Sequence, residues 1–232
     1  MDFFDAVKKR RSIRKFKPDP FPEDAVRKAF EAAVLAPNSS NTQTWDFYWI
    51  KNLELKQKVA AACLNQSAAR TAAHLVVVTA DPANWKRSML PNIEWAKAAN
   101  APGIVMGYYT KLIPMTYRFG LSNFFAPFKW VAINIMGIKK PIMRGPYTRR
   151  DIEEVGIKSA ALASENFMLA IVAQGGAVCP MEGYDDIRLR RLLKLRRSAN
   201  IVMVIAVGHE AERGTWGPQF RLPIEQVVHT LS

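Results

Sequence analysis

The residues with the clearest chemical potential in this chain are cations. The stretch KKRRSIRKF, residues 8–16, carries six Lys or Arg side chains in nine positions. Arg10, Arg11 and Arg14 are guanidinium forks, which offer an oxyanion paired, charge-assisted hydrogen bonds with a directional selectivity that Lys lacks. Ser12 adds a hydroxyl. If the chain leaves a first helix in extended form, Arg10, Ser12 and Arg14 share one side and can converge on one anion, while Lys8, Lys9 and Lys15 face solvent. By charge alone the stretch is equally a solvated run, or a basic arm for nucleic acid or membrane.

Two further groups are polar and turn-rich. NSSNTQT, residues 38–44, offers amides and hydroxyls from Asn38, Ser39, Ser40, Asn41 and Gln43, suited to the edge of an uncharged heterocycle. Taken alone it reads as an ordinary helix-to-strand turn. MEGYD, residues 181–185, contains Gly183, whose missing Cβ would let another group approach the backbone closely. It also reads as a turn before the next helix. Phosphate-binding glycine loops, a GxSxG elbow and HExxH are absent, since His209-Glu210 is followed by Ala211, Glu212 and Arg213. The three histidines are dispersed, and His74 at the start of an apolar run reads as structural. No acid/base pair follows from spacing, so catalytic side chains are expected to be none and a hydrolase has little support. Cys63 and Cys179 are far apart, outside any disulfide or zinc pattern, and no metal site is expected.

The elements that must position these groups are partly legible. Asp2 caps a short helix with Phe3, Phe4 and Val7 on one face. FPEDAVRKAFEAAVLAP reads as a second helix, with Val26, Phe30, Ala33 and Val34 as its apolar stripe and Pro37 as its stop. WDFYWI (45–50), HLVVVTA (74–80) and ANIVMVIAVG (199–208) read as strands, and residues 53–73 as helix broken near Asn65. Thr148 and Asp151 resemble a capping box at the head of a long central helix that ends at Gly175-Gly176. Residues 177–185 read as a turn-rich connection. DDIRLRRLLKLRR then reads as a short basic helix that partly buries Ile187, Leu189, Leu192, Leu193 and Leu195. The chain has 49% apolar residues and a net charge of +13, which fits one globular domain attracted to anions. The N-terminal stretch lacks an uninterrupted apolar core before a small-residue cleavage site, so a cytoplasmic location is expected.

Three separated stretches, RRSIRKF, APNSSNTQTWDF and CPMEGYDD with the later GPQFRLP, together resemble the FMN-dependent nitroreductase family. That resemblance implies an α+β, three-layer fold with a central, mostly antiparallel sheet flanked by helices, in a homodimer with FMN at the subunit interface. It implies a hydride relay from NADH or NADPH through flavin to an electron-poor acceptor such as a nitroaromatic or quinone. Arg10, Ser12 and Arg221 would bind phosphate or ribityl oxygens. Arg14 falls near the pyrimidine edge, where a cation favours the charge gained on two-electron reduction. Arg11 is either part of this set or paired on the surface. The 38–43 loop would reach the cofactor from the partner subunit, or touch its pyrimidine ring through Asn41 and Gln43. Asn65 would face the flavin edge, and Met181, Glu182 and Gly183 would pass close to flavin N5. Two departures stand out: Gln219 replaces a common second cation, so phosphate binding would lean more on Arg10 and Arg221, with Arg213 as a candidate to compensate, and Thr44 replaces a frequent Pro.

Residues of about 84–147 are expected to form a variable lid or insert. Its aromatic stretch, 110–140, carries Phe119, Phe124, Phe125, Phe128, Trp130 and Ile133, with Arg118 and Lys129 inside it and Lys111, Lys139, Lys140 and Arg144 as flanks. Its uninterrupted apolar run is well short of the roughly 20 residues that a bilayer-spanning helix requires. Lid and dimer packing is the first reading, and peripheral attachment to anionic membrane the second. Within the same fold, reductive dehalogenation, enone reduction or flavin breakdown are alternatives. A basic membrane- or nucleic-acid-binding module is the competitor from another class, although no nucleic-acid motif accompanies the charge.

Overall fold

A computed structural model describes residues 1–117 and 126–231. Arg118, Phe119, Phe124 and Phe125 of the aromatic stretch lie outside these residues.

Alternating burial in the strands dictates the layers. Strands β1 (Trp45–Ile50), β2 (His74–Ala80), β3 (Ala177–Met181) and β4 (Asn200–Gly208) form an antiparallel sheet in the order β1-β2-β4-β3. In β2, Val76, Val78 and Ala80 point to one face and Leu75 and Val77 to the other, as a period of two requires. The first face packs on α1 (Phe3–Lys9), α2 (Glu23–Val34) and α9 (Arg149–Ala173), with Phe167 at its centre, fully buried beside Phe30 and Phe47. The second face packs on α3 (Leu53–Ala62), α4 (Ser67–Thr71) and α10 (Asp186–Leu192) through Val59, Cys63, Ala69 and Leu189. Helix, sheet and helix are the three layers the resemblance implies.

The breaks fall where the sequence signals them. Leu64 and Asn65 have φ of 57° and 52° and separate α3 from α4. Thr148 Oγ1 accepts from the Asp151 amide, and Asp151 Oδ2 accepts from the amides of Tyr147 and Thr148 at 2.7 and 3.0 Å. Gly175, at φ 83°, ends α9, and the Gly176 amide returns to the Ile171 carbonyl at 3.0 Å.

Three expectations are corrected. The first five residues of the 177–185 connection are strand β3, which tolerates Pro180 because it lies at the edge of the ordered sheet. Ile187 is 61% exposed, and Leu189 alone on α10 is fully buried. Val34 is half exposed at the end of α2. Between β2 and α9 the chain forms α5 (Trp85–Ala98), α6 (Gly103–Gly107), a π-helical turn at Tyr108–Leu112, α7 (Ile113–Tyr117) and α8 (Ala126–Lys139). Trp85, Met89, Tyr109, Ile113, Tyr117 and Ile152 form a small separate core there.

Candidate functional site

The arginine segment is fixed by its backbone. Arg10 caps α1 with φ −61° and ψ 120°, and its amide donates to the Ala6 carbonyl at 2.8 Å. Beyond it, Ser12 bridges Val178 in parallel, the Ile13 amide donates to the Val178 carbonyl at 2.9 Å, and the Arg14 amide donates to the Gly214 carbonyl at 2.6 Å. Ile13 and Phe16 are buried and pin the segment to the sheet edge. The side chains of Arg10, Arg11, Ser12 and Arg14 are left to line a cavity of about 230 Å³ whose other wall is Thr215–Arg221.

Four guanidinium groups therefore meet at one concavity. Arg11 donates to the Gly217 carbonyl, the Arg14 guanidinium carbon sits 4.9 Å from the Trp216 ring centroid, and Arg221 donates to the Phe220 carbonyl at 2.7 Å. Arg10 Nε lies 3.5 Å from Glu165 Oε1 on α9, yet it is buried without a hydrogen-bond partner among the described residues. A buried donor without a hydrogen bond is costly unless an acceptor reaches it, and the ion pair with Glu165 offsets that cost only in part. Clustered like charges with one facing carboxylate make the cavity anion-seeking. Gln219 lines it and Arg213 does not. The donor chemistry of the cavity suits the phosphate end of a flavin nucleotide.

The 38–43 loop lies elsewhere in the chain. Ser40, Asn41 and Gln43 adopt left-handed φ of 58°, 49° and 46°, conformations that Asn tolerates and the other two rarely visit. They are held by many bonds. Asn38 Oδ1 accepts from the Gln43 amide at 2.9 Å, and Asn41 Nδ2 donates to Asn92 Oδ1 at 2.7 Å. Asn92 Nδ2 donates back to the Asn41 carbonyl at 3.0 Å, and Ser40 bonds the Tyr108 hydroxyl. Ser39 is exposed. None of these residues lines the arginine cavity.

At the end of β3, Met181 is buried and Glu182 and Gly183 are exposed. The Gly183 carbonyl accepts from Gln66 Nε2 at 2.7 Å. Asn65 is exposed and lines a different concavity, with Leu53, Lys56 and Ala69. Sequence reading missed Gln66, Glu165 and Trp216. Gln66 follows Asn65 directly across a positive-φ turn, so only the turn geometry distinguishes which amide meets residue 183.

The remaining titratable groups behave as packing. Burial pushes the Cys63 thiol up to about 11 and raises that of Cys179 despite the nearby Arg14 cation. His74 Nδ1 accepts from Trp49 Nε1 at 3.3 Å, so its Nε2 carries the proton donated to the Phe21 carbonyl at 2.8 Å. No cluster of His, Cys, Asp and Glu among the described residues could hold a metal ion.

Fold and site together define an α+β protein whose antiparallel sheet carries an arginine-lined cavity on one edge. Residues 7–209 match the Nitroreductase family model, and the chain belongs to that family. Protein DrgA of Synechocystis sp. is 32% identical over 213 residues, covering 91% of this chain and 86% of that protein. A protein of Thermus thermophilus named NADH dehydrogenase is 27% identical, with 98% and 95% covered. A chain from Exiguobacterium sibiricum solved in complex with FMN superposes with a TM-score of 0.73 at 23% identity, covering 100% and 98%. Flavin and nicotinamide cofactor use in general is what these relatives support for an oxidoreductase of this family.

Proposed function

We propose that the protein is an FMN-dependent oxidoreductase that takes reducing equivalents from NADH or NADPH and passes them to an electron-poor acceptor such as a nitroaromatic or quinone. The observation that carries this reading is the cavity where Arg10, Arg11, Ser12, Arg14 and Arg221 converge. When bound, the flavin supplies the two-electron chemistry, accepting and releasing a hydride equivalent.

The chain's own residues bind and orient. Arg10, whose buried Nε lacks a hydrogen bond, and Ser12 hold the phosphate, and Arg221 closes over it from the opposite wall. Arg14, braced by Trp216, keeps a cation beside the ring system. Gly183, fixed by Gln66, leaves backbone free to approach the ring face, where a Cβ would come within 3.1 Å of the Gln66 amide nitrogen. The 38–43 loop does not reach this cavity within one chain, which supports a homodimer in which it completes the partner's site. The exposed apolar tail residues Trp216, Phe220, Leu222, Ile224 and Val227 supply area for a second copy to cover.

A visible spectrum of the purified protein tests this reading. A flavin spectrum bleached anaerobically by NADH or NADPH and restored by a quinone or nitroaromatic is expected. A colourless protein that does not bind added FMN would refute it, and sedimentation as a monomer would refute the dimer.

A further inference from the structure

We propose that α8, with the cations that flank it, docks the protein on the surface of an anionic lipid bilayer. Helix α8 is apolar on every side and little covered. Phe128, Val131, Ile135 and Ile138 form one stripe at helical spacing and are 68, 48, 62 and 79% exposed. Trp130 and Met136 extend the apolar surface around the helix, and none of these residues joins a core cluster of the described residues. Among the described residues, the chain beyond α8 folds back along one side: Arg144 donates to the Gly137 carbonyl at 3.1 Å and to the Asn134 side chain, and Ile142 packs near Gly137.

Length and charge choose the occupant. Fourteen residues span about 21 Å, short of the roughly 30 Å hydrocarbon core, so α8 lies in the headgroup boundary and does not cross. Helix α9 is longer, but half of its most apolar window is buried inside the protein, so it belongs to the core. Beside α8 the cations Lys139, Lys140 and Arg144 are exposed, and no acidic residue occurs in the sequence between Glu94 and Asp151. A second copy would bring the same sign of charge to this surface. Anionic headgroups bring the opposite one, and Trp130 suits the interface between apolar and wet layers. None of the residues of α8 lines the arginine cavity, so this inference stands independently of the flavin reading.

Flotation of the full-length protein with vesicles of mixed phosphatidylglycerol and phosphatidylcholine, against pure phosphatidylcholine, tests the proposal. Binding to the anionic vesicles at low salt and release at high salt are expected. Lys139→Gln with Lys140→Gln, both exposed and unable to disturb a core, should lower the partition coefficient about thirtyfold, at ~1 kcal/mol per cation. Phe128→Ser with Ile135→Ser should lower it more than tenfold, and brominated lipid should quench Trp130, a signal lost in Trp130→Phe. Three results would overturn it: no binding at low salt, binding indifferent to both double variants, or those variants splitting a dimer in sedimentation while vesicle binding is unchanged.

Discussion

Replacing Arg10 by Ala should weaken FMN binding far more than replacing Lys9, its neighbour in sequence. Arg10 lines the cavity with a buried Nε that makes no hydrogen bond among the described residues, whereas Lys9 is exposed on the last turn of α1. One charge-assisted hydrogen bond to a phosphate contributes about 1.5–3 kcal/mol, so losing it should raise Kd roughly 10- to 150-fold. Lys9 acts on the phosphate only through screened water, worth less than about 0.5 kcal/mol, or roughly twofold. Glu165 sharpens the test, because its carboxylate lies 3.5 Å from Arg10 Nε. If Arg10 serves the ligand, Glu165→Gln removes a competing anion and leaves FMN affinity unchanged or a few-fold tighter. If Arg10 serves only to pair with Glu165, both substitutions cost similar stability and neither moves the FMN Kd. Fluorescence titration of apoprotein with FMN, alongside chemical denaturation, measures both quantities. Equal Kd values for Arg10→Ala and Lys9→Ala would refute the reasoning.

Other consequences follow from the same geometry. Gly176→Ala places a Cβ 2.6 Å from the Phe21 ring and 2.7 Å from Ile171, so denaturant unfolding should show a loss of about 1–3 kcal/mol. Cys63, raised to about 11 by burial, should resist iodoacetamide in the native protein near pH 8, where roughly one thiol in a thousand is ionised. Mass spectrometry should find it alkylated only after unfolding. Backbone hydrogen bonds from Thr148 and Tyr147 hold the Asp151 carboxyl below its ordinary range. A lowered folded-state pKa contributes stability above the unfolded value, about 3.9, that is lost as pH falls through the folded one. Asp151→Asn should therefore cost about 1 kcal/mol or less near pH 7, discounted for solvent screening, and nothing measurable in strong acid.

Legibility followed the range of the interactions. The capping box at Thr148, the break at Asn65 and the apolar strands were readable because each is set within a few residues. Strand β3 was not, because Pro180 and the following MEG suggest a turn, and only the sheet order reveals an edge position that tolerates Pro. The arginine segment was legible as chemistry, since Arg10, Ser12 and Arg14 had to leave α1 extended to act together. Its partners were not: Glu165 and Trp216 lie far along the chain, and nothing in local spacing announces a contact across so many residues. The helices of residues 85–139 fell below legibility for a different reason. In α8 apolar residues occur on all sides, so no periodicity marks a buried face, and in α5 the buried face at Trp85, Ser88, Met89, Asn92 and Ala96 mixes polar with apolar residues, which dilutes the signal.

That several guanidinium groups share one cavity links anion binding to folding. Among the described residues these arginines make one ion pair, Arg10 with Glu165, so part of the intrinsic stability is spent on holding cations together. A ligand that binds the folded state alone returns RT ln(1 + [L]/Kd), about 2.7 kcal/mol at a hundredfold excess over Kd. For a chain of this size that corresponds to a rise in Tm of roughly 5–11 °C. Inorganic phosphate should give a smaller rise of the same origin, because it meets the same forks without the rest of the nucleotide. Chloride at matched ionic strength should give less still, since it screens the cluster but cannot accept paired hydrogen bonds. A scanning-fluorimetry series with FMN, phosphate and chloride separates the effects. If chloride matches phosphate, the cavity recognises charge alone, and the geometric role assigned to its arginines is wrong.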